Sequence, residues 1–252
     1  MQTIRETWLI FRRSLTLTLR QPVWLLMGIF QPILYLVLFG PLLEGAVTEA
    51  GAGVNAFDWF VPGMLVMVAV FGAAFVGFGL IAELRYGVVE RMRVTPMSRV
   101  AMLLGRSLRD AVLLLMQATI MIVIAIPFGI TIDPLGIAVT LALVGLIGLA
   151  MAPLSYSAAL ALKSEDAFAP LVQFVALPLL LLSGIFLPLQ LAPGWLQTLS
   201  DLNPVTYAVD AVRAAFNGMW GEPAIMAGSA MVIVIAIVAM WVASRAFSRA
   251  TS

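Results

Sequence analysis

The 252-residue chain contains no cysteine and no histidine. Without thiols there is no disulfide framework and no thiolate metal site. Without imidazole the Ser-His and Cys-His catalytic pairs are excluded as well. Charge is scarce: 11% of residues are Asp, Glu, Lys or Arg against 62% hydrophobic, and the mean hydropathy is +1.07. Soluble domains carry about a quarter charged residues, so this composition belongs to a polytopic membrane protein. No G-x-x-x-x-G-K-[ST] loop occurs, so the chain does not bind ATP in that way by itself.

What the sequence does contain is apolar runs. Six of them, at 22–43, 61–82, 111–130, 135–162, 168–187 and 224–243, are long enough to cross a hydrocarbon core of about 30 Å. Gln31-Pro32 predicts a kink in the first. Their interiors hold no Asp, Glu, Lys or Arg, and only Gln31, Gln117 and Gln173 among strongly polar side chains. Ion-coupled carriers need ionisable groups near the bilayer centre, and acid–base chemistry needs positioned titratable groups. Energy for uphill movement must therefore come from a second protein. Of the 14 basic residues, four precede the first span, six lie in 83–110, Lys163 follows the fourth span and two sit on the tail. Only Arg213 falls on the other side. This asymmetry predicts both termini in the cytoplasm and explains the arginine cluster without nucleic acid.

Three segments outside the spans have a pattern of their own. In 1–21, Ile4, Trp8, Phe11, Leu15 and Leu19 recur at helical spacing among Arg5, Arg12, Arg13 and Arg20. They predict an amphipathic helix lying on the inner membrane surface; the alternative is a solvated extension. The polar loop 83–110 carries Arg85, Arg91, Arg93, Arg99, Arg106 and Arg109. In 188–223, Asn203-Pro204 is a helix start, Val205, Val209, Val212 and Phe216 form one stripe, and Gly218 is a stop. A second short helix around Trp195 precedes it. Neither is long enough to span, so both are read as dipping into one leaflet from outside, with Asp210 a helical partner for Arg213. Within the second span, Phe71, Phe75 and Phe78 line one helical face, either as a cavity wall for flat apolar substrates or as ordinary packing.

The run Gly87-Val88-Val89-Glu90-Arg91-Met92-Arg93-Val94-Thr95-Pro96-Met97-Ser98-Arg99, followed by Leu104-Gly105-Arg106, resembles the cytoplasmic-loop signature of type 2 ABC exporter permeases, especially the daunorubicin-resistance branch. The segment Leu202-Asn203-Pro204-Val205-Thr206-Tyr207-Ala208-Val209-Asp210-Ala211-Val212-Arg213 resembles the pre-terminal motif of the same family. The resemblance covers essentially the whole chain and implies one all-α permease domain. It would have six transmembrane helices, the interfacial helix, a coupling helix between spans two and three, and a re-entrant outer segment. It implies a dimer with a second copy or a paralogue in a bacterial cytoplasmic membrane. Two ATPase subunits would bind the ATP and Mg that this chain does not, and surrounding lipid completes the list of partners. The exported substrate would be a hydrophobic or amphipathic compound, with a lipid or lipid-linked glycan as the alternative; a non-transporting assembly protein is the reading outside transport.

The same resemblance assigns docking on the ATPase to about 83–94, with Arg85, Gly87, Glu90, Arg91 and Arg93 as contacts; for these arginines lipid-phosphate contact is the competing account. Thr95-Pro96 caps and begins the next helix. A substrate path along spans two and five nominates Phe71, Phe75, Phe78, Phe174 and Leu181. Trp195, Asn203, Pro204, Tyr207, Asp210 and Arg213 belong to the outer segment, which shapes the exit or is a passive plug.

Overall fold

Lipid offers no hydrogen bonds, so an apolar chain must satisfy its backbone inside its own helices. The computed structural model is accordingly all-helical. It describes residues 2–20, 22–49, 55–87, 99–131, 133–186, 188–189 and 192–250, and no strand occurs among them. In chain order the helices are α1 (Gln2–Leu19), α2 (Pro22–Glu49), α3 (Ala56–Ala74), α4 (Gly77–Arg85) and α5 (Arg99–Ala125). After a 3-10 turn at Ile126–Phe128 come α6 (Pro134–Leu162), α7 (Glu165–Leu181), α8 (Gly194–Asp201), α9 (Pro204–Phe216) and α10 (Pro223–Ala250).

Four stretches of the described residues are long and apolar enough to cross a membrane: Ala56–Arg85, Ala101–Phe128, Pro134–Leu162 and Pro223–Ala246. The protein is thus a polytopic membrane protein. Of the other two predicted spans, 22–43 falls in α2, which continues through Pro32 and Pro41. The other, 168–187, falls in α7, whose 17 residues stop at Leu181. Residues 99–110, the end of the segment 83–110, are helical and continue without interruption into the third span, as a helix begun near Thr95-Pro96 would.

Core and periphery are arranged around α3. It is buried on nearly every side, as a helix that is apolar all round must be if it stands inside a bundle. α6 packs on it and also against α5, α9, α10 and α4, while α2 closes against α3 and α5. Small residues permit close approach. Leu114 of α5 fills the notch left by Gly72 on α3 and Gly148 on α6. α10 is equally apolar yet exposes Met226, Ile233, Val234, Ile237, Val238 and Trp241, an apolar face that this chain leaves uncovered.

Candidate functional site: a latched helix break beside the arginine-rich segment

The second membrane stretch is interrupted between α3 and α4. Around the break the backbone bonds tighten to i−3, from Val76 N to Ala73 O at 3.4 Å, Phe78 N to Phe75 O at 3.1 Å and Gly79 N to Val76 O at 3.1 Å. This leaves the Ala74 carbonyl and the Gly77 amide without helical partners in an apolar setting. Ser155 of α6 takes both. Its hydroxyl donates to Ala74 O at 2.6 Å and accepts from Gly77 N at 2.9 Å. Glycine is needed at 77, because a Cβ there would lie 2.8 Å from the Ser155 carbonyl oxygen and run into the Phe168 ring.

The aromatic stripe passes over this break. Phe71 stacks on Phe75 at 6.0 Å between centroids and Phe75 on Phe78 at 5.9 Å; Phe78 meets the buried Phe168 of α7 edge-on at 4.9 Å. The first three rings are half-buried, so the ladder forms part of the surface of this one chain. Phe174 and Leu181, the other cavity candidates, stand on α7 and are 81% and 60% exposed. Among the described residues no ring contact joins Phe174 to the ladder. The chain brings together three of the five cavity candidates, not all five.

Below the break α4 is tied to two other helices. Glu83 forms an ion pair with Arg106 of α5 at 2.5 Å, and Arg85 one with Glu165 of α7 at 3.5 Å. The second is largely exposed and contributes little. The chain then turns at Gly87, whose φ of +66° suits glycine. Glu90, Arg91, Arg93, Thr95 and Pro96 lie outside the described residues.

One helical turn deeper is a cluster that the sequence reading missed. Asp110 of α5 and Tyr156 of α6 are 2% and 1% exposed. The Tyr156 hydroxyl donates to one Asp110 oxygen; Arg109 Nε donates to the other at 2.9 Å, and Arg109 Nη2 bonds Asp110 again and the Tyr156 hydroxyl at 3.0 Å. A buried charge needs a paired, hydrogen-bonded partner, and the triad is closed in that way. The signal in the sequence is an Arg-Asp pair at the mouth of an apolar run, with one tyrosine in the following span. Its burial is not evident until that tyrosine is placed across from it.

The opposite end of the bundle holds a second polar junction. Asn203 caps α9 by accepting from Val205 N at 3.0 Å and ties it to α7 by donating to Leu179 O at 2.7 Å. Pro204 occupies the first helical position. The Tyr207 hydroxyl donates to Asp201 O at 2.9 Å. Arg213 lies over the Trp59 ring at 4.2 Å, donates to Trp59 O at 3.2 Å and to Gly184 O at 3.1 Å, and is 3.8 Å from Asp210. Burial pulls its guanidinium down to about 10, with Asp210 opposing, so it remains charged at neutral pH. Beside it is a cleft of about 350 Å³ bordered by Trp59, Asp210, Arg213 and Glu222. Trp195, on α8, is 66% exposed.

The model of a protein family described as ABC-2 type transporter matches residues 5–217. The chain belongs to the ABC-2 type transporter family. The match to this family runs from the first turn of α1 to the end of α9, so it takes in the latched break, the buried triad and the Arg213 junction. Among curated relatives, one named as a transport permease, ycf38 of Cyanophora paradoxa, is 30% identical over 217 residues, covering 85% of this chain and 75% of its own. A daunorubicin resistance ABC transporter permease, DrrB1 of Streptomyces coeruleorubidus, is 24% identical, covering 79% and 71%. A protein of Mycobacterium tuberculosis named for doxorubicin resistance, DrrC, is 26% identical, covering 85% and 78%. The expected relationship to the drug-resistance permeases is therefore sound, and the ABC-2 chain is a permease-type component of an ABC transporter.

Proposed function

We propose that this chain is the membrane subunit of an ATP-binding-cassette exporter that moves hydrophobic or amphipathic compounds out across a bacterial cytoplasmic membrane. The observation that carries the reading is the family match over residues 5–217, with relatives named for daunorubicin and doxorubicin resistance. On this reading the chain crosses the membrane six times with both termini in the cytoplasm. It pairs with a second copy or a paralogue and is driven by two ATPase subunits that hold ATP and Mg.

The segment 83–94 docks on the ATPase, with Gly87, Glu90, Arg91 and Arg93 in contact, and Thr95-Pro96 opens the helix that continues as α5. A push on that segment reaches α4 through Arg85 and Gly87. α4 is short and bounded by a break whose backbone groups are held by Ser155 rather than by helical bonds. It can tilt at the expense of fewer main-chain hydrogen bonds than an unbroken helix, and in lipid each such opening is costly. Tilting α4 displaces Phe78 against Phe75 and Phe168. The ladder, together with Phe174 and Leu181, then forms the wall along which an apolar substrate leaves, towards the segment of Trp195, Asn203 and Arg213.

The test is co-purification with the cognate ATPase, followed by ATP hydrolysis in lipid vesicles. Amphipathic compounds should raise the rate, and charge reversal at Glu90 and Arg91 should abolish both assembly and stimulation. Failure of every amphipathic compound or lipid to stimulate would sink the exporter reading. Survival of assembly and stimulation in the charge-reversed variants would sink the docking assignment alone.

A further inference from the structure

α1 is divided lengthwise into three sectors. One faces the body. A Cβ on Gly105 of α5 would lie 2.9 Å from Ile10 Cβ and 2.9 Å from Thr7 O, so the two helices touch backbone to backbone there. Ile10, Ala101 and Met102 form a small buried cluster around the contact. The second sector is apolar and uncovered: Ile4 and Trp8 are 76% and 59% exposed, Leu19 also stands out, and Trp8 rests against Phe11 at 5.3 Å. The third is basic. Arg5, Arg12, Arg13 and Arg20 are all exposed, and among the described residues none of them forms an ion pair.

From this partition we infer that α1 is a recognition surface for anionic phospholipid headgroups, clamped to α5 at Gly105. The apolar sector alone accounts for lying in a membrane surface of any composition. It does not account for four cations against the single acid, Glu6, beside it. Arg5 and Arg12 are seven residues apart, as are Arg13 and Arg20, so each pair spans two helical turns on one side and reaches separate headgroups. Guanidinium groups bind phosphate through two parallel N–H donors, and each basic group near an anionic surface adds to the attraction. The clamp gives this recognition a consequence inside the bundle. Gly105 precedes Arg106, the partner of Glu83 on α4, so the headgroups under α1 bear on the turn of α5 that holds α4. The inference goes beyond the exporter reading and does not depend on it.

The experiment uses the purified full chain reconstituted into phosphatidylcholine vesicles that contain either brominated phosphatidylcholine or brominated phosphatidylglycerol at equal mole fraction. The Trp8 signal is the difference between wild type and Trp8→Phe. Brominated phosphatidylglycerol should quench it more strongly, on the order of twofold. Raising salt should shrink the difference, and the triple variant R5Q/R12Q/R13Q should remove it. The charge-preserving R5K/R12K/R13K should retain it. Equal quenching by the two lipids in wild type overturns the inference, as does a preference that survives the glutamine changes or is indifferent to salt. Absence of quenching by either lipid also overturns it and assigns the face of α1 to a protein partner.

Discussion

Ser155 and Tyr156 are adjacent in sequence, yet each holds a different neighbour. Ser155 stitches the break between α3 and α4, and Tyr156 closes the pair Arg109–Asp110 on α5. Replacing Ser155 by alanine strands a buried carbonyl and a buried amide, a loss of about 1–3 kcal/mol. It should appear as a lower unfolding temperature of the permease in detergent micelles. An unchanged temperature would mean that the hydroxyl is not holding the break. Asp110→Asn should cost at least as much, because it leaves the half-buried Arg109 without its counter-charge. Tyr156→Phe removes both hydrogen bonds of the hydroxyl, the one it donates to Asp110 and the one it accepts from Arg109, and should fall near the serine variant. Gly77→Ala should be destabilising too, since its Cβ meets backbone at Ser155, which cannot move aside.

At the scale of elements, α4 is bound to α5 by one ion pair of short geometry, and the pair is separable by charge exchange. Glu83→Arg alone should destabilise the chain, and adding Arg106→Glu should recover part of the loss. A coupling energy of about 0.5–3 kcal/mol from the double-mutant cycle is expected for residues in contact. A value near zero would show that the Glu83–Arg106 pair does not hold α4 to α5. This scale also marks where the sequence could be read and where it could not. The all-helical membrane class follows from composition. The start of α9 at Asn203-Pro204 follows from a cap chemistry that is local to three residues. The break at Phe75 and Val76 is not legible locally: the group that satisfies it is a serine on another helix, and the phenylalanines around it keep unbroken helical spacing. The same holds for Asp110, whose burial depends on a tyrosine across the bundle. The stripe Phe71, Phe75 and Phe78 was legible as a row but not as a ladder ending on Phe168.

For the whole molecule, burial is distributed inside out. α3 stands enclosed, whereas α7 is buried only along Phe168, Val172, Ala176 and Leu180 and exposes Phe174, Leu177 and Leu181. If the second copy of the proposed dimer covers this face, a single cysteine at 174 should give a dimer with a short bifunctional maleimide in vesicles. The native chain lacks cysteine, so the background is clean. A cysteine at Met226, 80% exposed on α10, is the control that should stay monomeric. Cross-linking at both positions alike, or at neither, would count against α7 as the meeting face.

The latch also imposes an order of assembly on synthesis. Ser155 is joined to the growing chain 78 residues after Gly77, an interval of several seconds or more at about 5–20 residues per second. Until then the Ala74 carbonyl and the Gly77 amide can be satisfied only within their own segment. Residues 56–85 should therefore leave the insertion machinery as one unbroken helix and acquire their break only when α6 arrives alongside. Truncated chains ending before residue 155 should hold the segment as that unbroken helix.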